Sequence, residues 1–309
     1  MVFWCHQAMT LLARLFRKPL AAAVLASLAA AAPAAISIDH FAAATNDRFA
    51  NNPAFVAAGQ DLSGVGRDAA GRWATMIEAN IFVSATHYHP AVNSTISFYP
   101  GNDPSATPVT RTVSAGQQIS GTDLWIGHFE EAVPSSVAWY PFATTAIDDA
   151  ADFNAVYLDD YAYQSGISPT TTGYGASNLT DMAVGENHLE FFVWGQAEGG
   201  STGDVMCLVR NVDGDSGYTY ESHEALLQGG DSGSPLLLTT AGGLQVAGTA
   251  WAIDTISIPE GTRWYSVYTY TGNYTSAIQT YIDANLVPEP SVACLVLLVP
   301  AVVGLARRR

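Results

Sequence analysis

The sequence predicts an all-β body, and three observations carry that prediction. Short alternating or apolar runs recur along the chain, Gly, Pro, Asn, Asp and Ser punctuate them, and helical periodicity appears only at 276–285. At 309 residues and 49% hydrophobic, the chain can bury one or two sizeable cores. The runs expected as strands are 73–77, 80–85, 95–99, 109–113, 123–127, 137–140, 154–158, 191–195, 205–210, 236–239, 244–249 and 264–270.

The first element in chain order lies outside that body. The basic stretch Arg14-Leu15-Phe16-Arg17-Lys18 precedes an apolar run from Leu20 to Ala32, and the small residues Ala32-Pro33-Ala34-Ala35 follow. This is the plan of a secretory signal peptide, residues 1–35, cleaved near Ala34 or Ala35. Residues 36–59, rich in Ala and Asn, read as an N-terminal arm.

Three segments then carry chemistry. Ile81-Phe82-Val83-Ser84-Ala85-Thr86-His87-Tyr88 reads as a buried strand that ends in small residues and delivers a histidine. Gly121-Thr122-Asp123-Leu124-Trp125-Ile126-Gly127 opens an apolar strand with an aspartate. Gly230-Asp231-Ser232-Gly233-Ser234-Pro235 sets a serine in a tight glycine turn before Leu236-Leu237-Leu238. A serine hydroxyl is a poor nucleophile until a base takes its proton and donors await the oxyanion. Flanking glycines let backbone N–H groups converge without Cβ crowding. His89 and Asp103 are the rival histidine and aspartate, but Asp103 lies in the turn-like Gly101-Asn102-Asp103-Pro104.

Taken together these segments resemble the trypsin/chymotrypsin-like serine protease family. Ser84-Ala85-Thr86 stands where that family has Thr-Ala-Ala before its histidine, and the order His87, Asp123, Ser232 is the chymotrypsin order. Val246-Ala247-Gly248-Thr249-Ala250-Trp251 is similar to the strand lining the family's cleft. Trp264 to Thr269 and Tyr274 to Ile282 are similar to its last strand and C-terminal helix. The resemblance implies two six-stranded antiparallel β-barrels, at about 60–135 and 136–275, and a C-terminal helix at 276–286. It implies a serine-type endopeptidase acting on polypeptides through an acyl-enzyme, with no cofactor. His87, Asp123 and Ser232 would form the triad, the Gly230 and Ser232 amides the oxyanion hole, and Leu226 and Trp251 part of the substrate site. The alternative of another class is a catalytically silent protease-like module that binds a surface or an extracellular matrix.

Other implied features depend on departures from the family. The family's zymogen signature, a basic residue before Ile/Val-Val-Gly-Gly, is absent, so Asp231 is expected to pair with an internal arginine or backbone donors. Leu226, six residues before Ser232, would form the pocket floor; leucine cannot pair a cation, which argues against cleavage after Arg or Lys. His223 and Thr249 leave a pocket that reads acidic side chains as the alternative to an apolar one. Of Cys5, Cys207 and Cys294 only Cys207 lies in the body, which therefore forms no internal disulfide and holds Cys207 as a small buried hydrophobe. Asn211 to Gly217 has alternating oxygen ligands but the wrong glycine position for a calcium loop, and reads as a hairpin turn. No metal is expected.

The C-terminal element, residues 287–309, joins Val287-Pro288-Glu289-Pro290 to the uncharged stretch Ser291 to Ala306 and ends in Arg307-Arg308-Arg309. It resembles a PEP-CTERM sorting signal of Gram-negative bacteria, which implies transient membrane insertion, recognition by an exosortase-type protease and release at the cell surface or beyond. The arginines would hold the tail cytoplasmic. Six of the 12 basic residues lie in the two ends, against one (Glu289) of the 28 acids, so residues 36–287 carry 6 basic and 27 acidic groups, a net of −21. Such a surface excludes nucleic acid as a partner.

Overall fold

The computed structural model describes residues 35–50, 52–169 and 182–287. The predicted signal peptide up to residue 34 and the predicted sorting signal from residue 288 lie outside the described residues. The first strands are β1 (Ser37–Ile38), β2 (Val65–Asp68), β3 (Trp73–Glu78), β4 (Ile81–Ala85), β5 (Thr95–Phe98), β6 (Val109–Gln118) and β7 (Leu124–Phe129). Then follow β8 (Tyr161–Gly166), β9 (Ala183–His188), β10 (Phe191–Glu198), β11 (Ser201–Val209), β12 (Ala225–Leu226), β13 (Pro235–Thr240), β14 (Gly243–Ile258) and β15 (Gly261–Tyr270). The helices are α1 (Ala43–Asn46), α2 (Ala150–Val156) and α3 (Thr275–Asn285).

Strands β2-β3-β4-β7-β6-β5 close a six-stranded barrel. Its apolar runs are continuous rather than alternating because both faces of β3, β4 and β7 are covered. Phe82, Trp125 and Phe129 join Met76, Ile96, Phe98 and Val113 in the barrel's interior cluster, with Phe82 and Phe129 stacked at 4.9 Å. The alternate residues Ile81, Val83, Leu124 and Ile126 pack outward with Leu237, Val246 and, from α3, Ile278, Tyr281 and Ile282. Each of these fully buried side chains contributes about 1.5–3 kcal/mol. The outward cluster thus joins the barrel to the second sheet and to the C-terminal helix.

The second sheet has seven strands in the order β10-β11-β15-β14-β13-β8-β9. Where the resemblance implies a second closed barrel of six strands, no ladder among the described residues closes β9 on β10. The two edge strands are nevertheless consecutive, separated only by Leu189 and Glu190, so the sheet curls until its ends meet at that corner. Asn187 of β9 donates to the Val209 carbonyl at 2.9 Å across the gap. The N-terminal arm adds a short pair, β1 with β12, and buried Arg48 donates to the carbonyls of Tyr99 and Gly101 at 2.8 and 2.7 Å.

Two expected strands are not strands. Residues 154–158 fall mostly in α2, because Asp149 caps it by accepting from the amides of Ala151 and Asp152 at 2.8 and 3.0 Å, while Phe153 and Tyr157 share the buried face. Residues 137–140 form an irregular strap held by side chains. The Ala138 amide donates to Ser63 Oγ, and the Tyr140 hydroxyl donates to the Asp61 carbonyl and accepts from Gly64.

Candidate active site

The ladder of β4 with β7 pairs Ala85 with Leu124, so the next residues outward, Thr86 and Asp123, face each other. The Thr86 amide donates to the Asp123 carbonyl, and His87 emerges one residue on, in a single 3-10 turn. Asp123 then receives two hydrogen bonds from His87. Its Oδ1 accepts from the His87 backbone amide at 3.1 Å, and its Oδ2 lies 2.8 Å from Nδ1. The aspartate side chain is 1% exposed and the histidine 41%. A carboxylate on Nδ1 assigns the ring proton there and leaves Nε2 as an acceptor. Nε2 lies 2.8 Å from Ser232 Oγ.

Ser232 comes from the other sheet, in the turn leading into β13. Gly230 and Gly233 both take positive φ, 106° and 84°. A Cβ on Gly233 would stand 2.6 Å from Ser84 Oγ and 3.0 Å from the Ala85 amide nitrogen, so the turn sits directly against the end of β4. The Gly233 amide donates to Ala250 and the Ala250 amide to Ser234, each at 2.8 Å, which fastens the turn to β14. The Trp73 indole donates to the Gly230 carbonyl at 3.2 Å. Among the described residues the amides of Gly230 and Ser232 donate no hydrogen bond.

Asp231 is fully buried beside this turn. Its two oxygens accept from the amides of Ile167 and Gln228, both at 2.7 Å. Burial pushes its carboxyl up to about 7; those two hydrogen bonds and the charge of buried Arg67 pull the other way. Arg67 itself stacks over Trp73 at 4.5 Å. The expectation of internal partners for Asp231 thus finds backbone donors first.

Two cavities lie at the site, one against Ser232 and the other against His87. One, of about 250 Å³, is lined by Leu227, Gln228, Gly229, Ser232 and the β14 residues Ala250 to Ile253. The other, of about 150 Å³, is lined by His87, Asp123, Gly199 and Trp251. Glu198 lines both. Leu226, expected as the pocket floor, is placed in β12 opposite Ser37, and the cavity lining begins at its neighbour Leu227. His223 and Thr249 line neither cavity.

The rival residues are engaged elsewhere. His89 stacks on Trp125 at 4.4 Å and its Nδ1 is 2.9 Å from the Pro90 carbonyl. Asp103 is half-buried and accepts from Ser105, whose hydroxyl and amide hold its carboxyl below the ordinary value. In the 211–217 turn, Asp215 spends both oxygens on Arg263, at 2.6 and 2.7 Å. Cys207 is fully buried in β11, and burial raises its thiol well above the usual range.

Glu198 and Trp73 are the site residues that sequence reasoning missed as such. Gly199-Gly200 between two β runs signals a hairpin at Glu198. Nothing local to that stretch says that the hairpin tip reaches the cleft. The chain matches no protein-family model and no curated protein sequence.

Proposed function

We propose that the protein is a serine endopeptidase of the two-barrel, chymotrypsin-like type, exported through its N-terminal signal and sorted through its C-terminal tag. The observation that carries this reading is the continuous hydrogen-bonded line from Asp123 Oδ2 through His87 to Ser232 Oγ, with both links at 2.8 Å. In this mechanism Ser232 Oγ attacks the substrate carbonyl as Nε2 of His87 takes its proton. Buried Asp123 holds the ring and stabilises the imidazolium that forms. The amides of Gly230 and Ser232, which have no acceptor among the described residues, donate to the oxyanion. His87 returns the proton to the departing amine, the C–N bond breaks, and an acyl group remains on Ser232. Water then attacks the acyl carbonyl as His87 takes its proton, the C–O bond to Ser232 breaks, and His87 returns the proton to Oγ as the acid leaves.

The deciding experiment is covalent labelling of the purified body with a fluorophosphonate. The wild type should take one label and lose peptide hydrolysis with it, and Ser232→Ala should take none while keeping its melting temperature. A folded wild type that takes no label leaves the silent binding module as the better reading.

A further inference from the structure

The cavity at Ser232 and the cavity at His87 share a single acidic wall, Glu198. Glu198 ends β10, and its ladder partner Ser201 begins β11, so Gly199-Gly200 forms a two-residue turn with φ of 61° and 89°. Such a turn keeps the strands paired to the tip. The tip is also fastened at the aspartate's loop: the Thr202 amide donates to the Gly121 carbonyl at 3.1 Å, and Gln118 Nε2 donates to Ser201 Oγ at 3.3 Å. The hairpin of the second sheet therefore holds Glu198 in place over the cleft. The exposed carboxylate faces no arginine or lysine in either cavity; His87 lines the smaller one with it, and the other acid there, Asp123, is buried and engaged by that histidine.

Trp251 is the second shared wall. A carboxylate at the rim of one small cavity is complementary to a guanidinium or ammonium, and Trp251, 6% exposed, gives the aliphatic stem of such a side chain an apolar wall. We propose that the cavity between Glu198 and Trp251, on the imidazole side, binds an arginine or lysine side chain of the substrate. That residue would be the neighbour of the one whose carbonyl Ser232 attacks. The larger cavity, walled by Leu227, Ala250, Ala252 and Ile253, takes the attacked residue itself. Adjacent side chains of an extended peptide point to opposite sides, so two such residues need two cavities. The body's net charge of −21 draws cationic polypeptides toward the cleft in the same sense. This inference rests on the endopeptidase reading.

The test is a peptide library with an apolar residue at the attacked position and Arg, Lys, norleucine or Glu at its neighbour on the acyl side. A carboxylate at an exposed site supports about a 5-fold preference in kcat/KM for Arg or Lys over norleucine. The preference should shrink at high salt. Glu198→Gln should remove it and Glu198→Lys should turn it toward Glu. A labelled, active wild type with no such preference, or one whose preference survives both substitutions and high salt, overturns this inference alone. The wild-type salt series decides the matter even if a variant is not recovered. A protein that takes no fluorophosphonate and cleaves no library member overturns the endopeptidase reading, and this inference with it.

Discussion

Replacing Asp123 by asparagine is the sharpest perturbation of the proposed mechanism, because its geometry dictates which way the new side chain faces. Oδ1 accepts from the His87 backbone amide at 3.1 Å, so the asparagine must keep its carbonyl oxygen there. Its NH2 group then takes the place of Oδ2, 2.8 Å from Nδ1. An N–H donor at that point forces Nδ1 to accept and moves the ring proton to Nε2, which now points a hydrogen at Ser232 Oγ rather than a lone pair. The fold is unchanged and the base is lost. A wrong-tautomer defect of this kind lowers kcat by about 10⁴, or about 5.4 kcal/mol at 1.36 kcal/mol per decade. The assay is single-turnover acylation by an activated ester at saturating substrate, with the melting temperature as control. A loss below about tenfold in a fully folded variant refutes the assigned role of Asp123.

His87→Ala should be as damaging as Ser232→Ala and the two losses should not add, whereas His89→Ala, which removes a ring stacked on Trp125, should spare turnover; equal damage from both histidine variants would reassign the base. Gly233→Ala must place a Cβ 2.6 Å from Ser84 Oγ at a φ of 84°, so it should cost about 1–3 kcal/mol in a urea melt and slow labelling; a neutral result would mean that the turn does not press on β4. Burial raises Asp231 to about 7 and Glu224 to about 8, so the folded protein holds protons that the unfolded chain releases near pH 4. That stability is complete below about pH 4 and is lost as pH climbs toward 8, on the order of 4 kcal/mol for Asp231; a melting temperature that rises over this range contradicts it. Intact-mass measurement on protein from a host with the sorting machinery should find a chain from near Ile36 to between Pro288 and Ser291, and a membrane-bound product retaining Arg309 would indicate a permanent anchor.

The sequence made the site more legible than the fold around it. His87, Asp123 and Ser232 each sit beside a strand whose two faces are buried, so an unbroken apolar run marks the start or end of each. Strands β8 and β9 escaped because their buried residues include polar ones. Gln164 and Asn187 are both fully buried, each hydrogen-bonded to a backbone carbonyl, and polar side chains erase the hydrophobic period that betrays a strand. Strand β2, Val65-Gly66-Arg67-Asp68, looks like a turn by composition, yet it is fully buried with Arg67 stacked on Trp73. The misread 154–158 shows the converse. Asn154 to Leu158 has strand-like apolar content, while the deciding signal, the cap at Asp149, lies outside that window. Glu198 could not be found by any local reading, since its position depends on the length of one hairpin and its anchorage to a loop of the other sheet.

The histidine and aspartate belong to the barrel and the serine to the seven-stranded sheet, and the hydrogen bond between Ser232 and His87 crosses from one to the other. On the reading proposed above, a chain emerging during export therefore completes the histidine–aspartate pair long before residue 232 has a turn to sit in. Until the sheet docks there is a base with no nucleophile, and afterwards a nucleophile only where the Trp73 indole and the end of β4 hold its turn. If the endopeptidase reading holds, the half-made molecule cannot cleave itself or its neighbours, because base and nucleophile are supplied by different sheets.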